Sequence, residues 1–255
     1  MELTILLKKI KEKFWRLIPF RFHLKLKLIY MLLTGNYDKE MVLVSKLLTK
    51  KRRFIDIGAN QGIYSLYFSS VFKLINTFEP VKEVTSLLQF TNKKNIQIHH
   101  VALTDSIGER IIEIPKKMNE LLISRSSLSY CGAMPTIKRN INTLNLDHFC
   151  YEDVDLIKID VEGHEDFVIN GALETIKRCK PFLIIEIELR HRKKHIDYLV
   201  KLLENLHYKC FYCRNQKKLI PYKYFKPDVD QNIELFGKEI QSKCQYINNF
   251  IFIPK

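Results

Sequence analysis

Several apolar runs in this 255-residue chain end in acids or glycines that core packing does not call for. One ends Asp56-Ile57-Gly58-Ala59-Asn60-Gln61-Gly62. The next ends Glu79-Pro80. A later run ends Asp160-Val161-Glu162-Gly163-His164, and another carries Glu186 and Glu188. Buried carboxylates are costly without partners, so acids at these positions mark a rim that meets a ligand. In the first loop, Gly58 and Gly62 permit a sharp turn and a close backbone approach where a helix begins. Asn60 stands where a dinucleotide fingerprint has its middle glycine. Asp56 suits the positive end of a nucleoside that carries an amino acid, and the loop N–H groups suit its carboxylate. Glu79 lies 23 positions past Asp56, near the spacing of about 20 residues at which an acid reads ribose hydroxyls. A carboxylate there also argues against a 2′-phosphorylated cofactor. On these residues alone, NAD and a sulfonium nucleoside both remain open.

Asp160, Glu162 and His164 alternate along one strand tip and the turn that follows. A carboxylate or imidazole there can take the proton of a reacting alcohol. Asp160 or His164 is the expected base, and Glu162 the expected acceptor contact. The same three side chains also suit a divalent cation that would lower a hydroxyl pKa, so the metal requirement stays open. One or two of them can instead cap the helix that starts near Glu165.

The elements that must position these groups alternate. Strands are expected at 54–58, 74–80, 95–103, 155–163, 182–188, 208–213 and 250–254, with a short hairpin arm at 109–115. Helices are expected at 3–18, 38–49, 63–72, 81–92, 165–179 and 191–206. Near-continuous apolar strands alternating with helices predict an α/β fold: a mostly parallel, seven-stranded sheet covered by helices on both faces. The last strands lack a helical crossover and suit an antiparallel C-terminal edge. Residues 116–153 read as irregular, and a connection of that length is usually functional. Arg125, Ser126, Ser127 and Tyr130 there suit a polar acceptor.

The net charge of +14 is unevenly spread. Residues 1–53 hold 14 Lys or Arg against Glu2, Glu12, Asp38 and Glu40. Nucleic-acid enzymes more often carry their basic surface on the catalytic body. In residues 3–18 an apolar stripe opposes lysines, a pattern that suits an interfacial helix on an anionic surface; packing on the domain itself is the alternative. No apolar run reaches the roughly 20 residues that a spanning helix needs. Six scattered cysteines and no visible secretory leader fit packed or surface thiols in a reducing cytosol. A cytoplasmic protein is therefore expected, peripheral on the inner face of a membrane if residues 1–18 dock there.

Five blocks resemble the FkbM-type methyltransferases, in that family's order: FIDIGANQGIYS (54–65), FEP (78–80), VALTDSIGE (101–109), DLIKIDVEGHEDFVINGA (155–172) and NNFIFIP (248–254). The resemblance runs from about residue 40 to the C-terminus. It implies a Rossmann-like class I fold and S-adenosylmethionine rather than NAD. It further implies that Asp56, Gly58, Ala59, Asn60 and Gly62 form the cofactor loop, that Glu79 holds the ribose, and that Ala102 to Asp105 lie near the adenine. It implies O-methylation of a sugar, glycan or related small molecule. The expected organisation is a basic segment, 1–39, and a methyltransferase domain, 40–255, with 116–153 as its acceptor-binding insertion. Two rivals remain: an RNA ribose methyltransferase, and a non-catalytic nucleoside-binding module held at a membrane surface.

Overall fold

A computed structural model describes residues 18–117, 120–121, 126–128, 134–191, 196–214, 218–232 and 246–255. The stripe at 3–18, apart from its last residue, and Arg125 and Tyr130 lie outside the described residues.

The chain enters through α1 (His23–Thr34) and α2 (Lys39–Leu47), then alternates. In order follow β1 (Arg53–Ile57), α3 (Ile63–Phe68), β2 (Leu74–Phe78), α4 (Lys82–Gln89) and β3 (Ile96–His99). Next come four strands of a separate ribbon: β4 (Ala102–Leu103), β5 (Gly108–Lys117), β6 (Glu120–Leu121) and β7 (Thr136–Leu144). The main sheet resumes with β8 (Val154–Ile159), α5 (Glu165–Asn170), α6 (Leu173–Cys179), β9 (Phe182–Glu186), α7 (Ile196–Asn205), β10 (Tyr208–Cys213), β11 (Leu219–Pro221) and β12 (Asn249–Pro254).

Among the described residues, the main sheet has eight strands in the order β11-β10-β12-β9-β8-β1-β2-β3. The five from β3 to β9 run parallel, and β12 lies antiparallel between β9 and β10. The expected α/β fold is therefore present, with one strand more than expected. The antiparallel strand is interior, not an edge, because it pairs with β9 on one side and β10 on the other, and its Phe250, Ile251 and Phe252 are fully buried. The short β11 takes the edge.

Alternation along the strands divides the core. Ile55, Ile57, Ile157, Ile159, Leu183 and Ile185 pack with residues of α5, α6 and α7. Phe54, Leu156, Ile184 and Ile251 pack on the other face with Met41, Val44 and Phe68. The period-2 geometry of a strand requires this split. Cys210 and Cys213, an odd spacing apart on β10, consequently join opposite cores as free thiols.

Three expectations are corrected. The run 95–103 is two strands: β3 pairs with β2, whereas Ala102–Leu103 pairs with β7 in the second sheet. Residues 136–144 are not irregular but pair antiparallel with β5 along eight residue pairs, from Gly108↔Thr143 to Pro115↔Thr136. The helix expected over 165–179 breaks at Gly171-Ala172. A Cβ on Gly171 would stand 2.0 Å from the Thr104 carbonyl oxygen, so the ribbon can approach the helix pair only where a side chain is missing.

Candidate active site

Strand register gathers the polar groups at the carboxyl ends of the parallel strands. Asp56 stands beside Thr77 on one side and Lys158 on the other, while Glu186 stands beside Asn249. These residues share the face that continues Phe54, Leu156, Ile184 and Ile251, so the last turn of one core layer is polar.

The loop after β1 is fixed by its neighbours. Gly58 has φ +73°, and a Cβ on it would fall 1.8 Å from the Asp160 carbonyl oxygen. The Gly58 and Ala59 amides donate to the Phe78 carbonyl at 2.9 and 3.3 Å. Asn60, with φ +50°, donates its amide to Glu79 Oε2 at 3.0 Å. The Val81 amide donates to Glu79 Oε1, also at 3.0 Å. Each Glu79 oxygen thus holds one backbone amide and retains acceptor capacity. Burial pushes this carboxyl up to about 7.

Asp56 is differently placed. The Ser65 amide and hydroxyl donate to its Oδ2 at 3.0 and 2.6 Å, and Ser65 Oγ also meets Thr77 Oγ1 at 2.7 Å. The carboxylate therefore anchors the first turn of α3. Burial raises its pKa to about 6.

Two cavities flank the loop. One, of about 230 Å³, is lined by Glu79, Ala102, Leu103, Ser126, Ser127, Asp160, Glu162 and His164. The other, of about 320 Å³, is lined by Lys27, Asp38, Asp56, Ala59, Tyr64 and Lys158. Gly58, Asn60 and Asp160 line both. Asp56 and Glu79 accordingly face opposite sides of the loop rather than one shared chamber. Of the other expected cofactor residues, Gly62 lines neither cavity. Asp105 faces outward, 3.3 Å from Arg110.

Asp160, Glu162 and His164 do converge on the first cavity, in different states. His164 is buried, stacks on Phe167 and meets Thr104 Oγ1 at 2.8 Å. Burial lowers its pKa to about 4, so the imidazole is neutral. Glu162 has φ +51°, a left-handed conformation that is uncommon without glycine. The Ser127 hydroxyl donates to its carbonyl at 2.7 Å. Asp160 is 36% exposed and sits 3.8 Å from Lys158 Nζ, which is equally far from Glu186 Oε2.

Lys158, Asn248 and Asn249 complete the site beside Glu186; the sequence marked Glu186 as a rim acid and gave the other three no role. Lys158 is buried and donates to Asn249 Oδ1 at 2.9 Å. Burial alone would lower its pKa, but Asp160 and Glu186 outweigh that and raise it, so the ammonium stays charged. Asn248 donates to Glu186 Oε1 at 2.7 Å. Burial, then the Asp160 charge, lifts Glu186 well above the carboxylate range, and Glu186 is hydrogen-bonded to Asp160. For Lys158 the signal in the sequence was a lysine inside an otherwise apolar strand. Among the described residues, no three His, Cys, Asp or Glu side chains converge to hold a metal ion. The Lys158 ammonium already supplies the positive charge between the carboxyls, so the divalent cation has no support from this arrangement.

Similar solved structures include a methyltransferase FkbM from Methylobacillus flagellatus, at 15% identity and TM-score 0.49 over 79% of this chain. This chain spans only 43% of that protein's length. An rRNA methylase from Streptococcus thermophilus matches at 10% identity and TM-score 0.45, over 85% of this chain and 95% of its own. A TehB-like SAM-dependent methyltransferase from Corynebacterium glutamicum matches at 12% identity and TM-score 0.45, over 92% and 98%. No protein of curated function matches the sequence. The model of the FkbM methyltransferase domain matches residues 56–210. That span is more than half of the chain and runs from the acid of the glycine loop to β10. The chain belongs to the FkbM family of S-adenosylmethionine-dependent methyltransferases.

Proposed function

We propose that the protein methylates a hydroxyl of a sugar, glycan or related small molecule, with S-adenosylmethionine as donor. The carrying observation is Glu79: a buried carboxylate on a cavity wall, with both oxygens fixed by amides and still able to accept. A ribose diol supplies the two donors that complete it, so the donor set fits the cofactor. Ala102 lies on the same wall and suits the adenine, whereas Asp105 does not reach it. Gly58, Ala59 and Asn60 separate the two cavities, so a nucleoside on one side can pass its amino acid end to the other. Asp56 then acts by bracing the loop through Ser65.

When bound, the cofactor supplies an electrophilic methyl. The chain's residues align the acceptor and remove its proton. Alignment can lower such a barrier by several kcal/mol, up to about 7–11 in favourable cases. Asp160 is the proposed base. It alone of the three candidates is both open to the cavity and tied to Glu186 by a hydrogen bond and to the Lys158 ammonium by charge. Its pKa is raised, first by burial, which strengthens it as a base. His164, neutral with a pKa lowered to about 4 by burial, positions Thr104 instead. Glu162 and Ser127, at the same wall, are proposed to bind the acceptor. Incubation with labelled S-adenosylmethionine and cellular glycan, lipid and RNA fractions tests the acceptor class. Label in the glycan or small-sugar fraction, lost in Asp160→Asn, is expected; label in RNA alone would contradict it.

A further inference from the structure

Residues 13–37 contain no Asp or Glu, five Lys or Arg, and fifteen large apolar or aromatic residues. The described part of this stretch includes α1, which packs inward through Leu24, with Leu28 beside it, against Leu66 and Leu88. Its outer side stays apolar. Phe22 is 39% exposed, Ile29 51%, Leu32 38% and Leu33 83%. At about 100° per residue, Ile29 and Leu33 lie opposite Leu24 and Leu32 at the flank of the same arc, with Lys25 between them, while Phe22 stands in the turn just before the helix. Among the described residues, six of the sixteen large apolar side chains that are exposed fall between Phe20 and Leu33. That clustering is a patch rather than the usual scatter of single residues, and such patches mark interaction surfaces.

We infer that α1 is a docking face for an anionic lipid bilayer. The charge pattern selects the occupant. Arg21 and Lys25 lie beside the apolar arc with no acid nearby in the chain. Apolar side chains reaching into the acyl boundary, with cations at headgroup level, are what an interfacial helix needs. Each cation near an anionic leaflet contributes about 1 kcal/mol. A second copy of this chain, or residues 1–17 with their own five Lys or Arg against two Glu, would set like charges against the patch. Twelve residues of α1 rise about 18 Å, well short of a hydrocarbon core of about 30 Å. The helix therefore lies along the surface. Lys27 and Met31, on its inner side, line the second cavity. One element thus serves both the lipid face and the cavity wall. The docking does not depend on the proposed methyl transfer.

The test is sedimentation of the full chain with vesicles of phosphatidylcholine, alone or mixed with phosphatidylglycerol. Wild type is expected to bind the anionic vesicles at least about tenfold more tightly than the neutral ones, and to release as salt is raised. The double variant Ile29→Glu/Leu33→Glu changes only exposed positions. It is expected to lose that binding about tenfold or more with an unchanged melting temperature. Lys25→Glu gives a second, smaller loss if the double variant melts early. Three results would overturn the inference: no binding of wild type to anionic vesicles, equal binding to neutral ones, or wild-type binding by both variants. A wild-type dimer that the double variant renders monomeric, without vesicle binding, would assign the face to a second copy.

Discussion

Glu79 ties the pH behaviour of the site to its ligand. Its pKa, ordinarily 4.5, stands at about 7 in the fold because burial disfavours the charged form. Between those values the folded protein holds a proton that the unfolded chain releases, so this group lowers stability as pH rises from about 4.5 to about 7 and adds no further slope above. A diol that donates to Glu79 favours the ionised form. Cofactor affinity is therefore expected to rise up to tenfold per unit as pH approaches about 7, then level off. Glu79→Gln should flatten that profile, as measured by calorimetry across pH. Asp160→Asn should lower kcat by roughly 10²–10⁴-fold and leave the cofactor Kd nearly unchanged. Lys158→Met removes the cation between Asp160 and Glu186. Breaking a buried pair in this way costs about 3–5 kcal/mol, readable as a lower urea midpoint. The acids at the strand tips were legible because each interrupts an apolar run. Their partners were not. Asp56 meets Lys158, and Glu186 meets Asn249, only through register between strands distant in sequence.

At the scale of elements, the parallel strands were readable because burial on both faces demands unbroken apolar runs. The ribbon was not. In β7, TIKRNINTL, only Thr143 is buried, so the hydrophobic pattern that marks a strand is nearly absent. Its ladder with β5 supplies the order instead. The same ribbon brings Ser127 to the cavity by pairing with Glu113, through two backbone bonds of 3.0 Å. It also docks onto the α5–α6 corner at Gly171. Gly171→Ala would drive a methyl into the Thr104 carbonyl, and overpacking of this kind costs about 1–3 kcal/mol. A lower melting temperature is expected, with reduced activity, because Thr104 also holds His164. α1 was hidden for a different reason: leucines at 24, 26 and 28 mimic the period of a strand, and the helix is apolar on nearly every side.

At the scale of the whole molecule, one chain end is basic and apolar while the sheet's carboxyl rim gathers carboxylates. Such a rim suits a cationic sulfonium and a neutral, hydroxylated acceptor better than a phosphate backbone, which acids would repel. Both cavities open beside a single loop, so ligand binding should stabilise the entire domain. At a ligand concentration 100-fold above Kd, linkage adds about 2.7 kcal/mol, visible as a higher melting temperature. In the proposed function, Glu79 receives the ribose of one nucleoside cofactor. Calorimetry with S-adenosylhomocysteine tests it most directly. One-to-one binding by the wild-type protein, weakened roughly 10–100-fold in Glu79→Gln by the loss of charged hydrogen bonds worth about 1.5–3 kcal/mol, is the expected result. Absence of binding by the wild type, or equal affinity in Glu79→Gln, would contradict it.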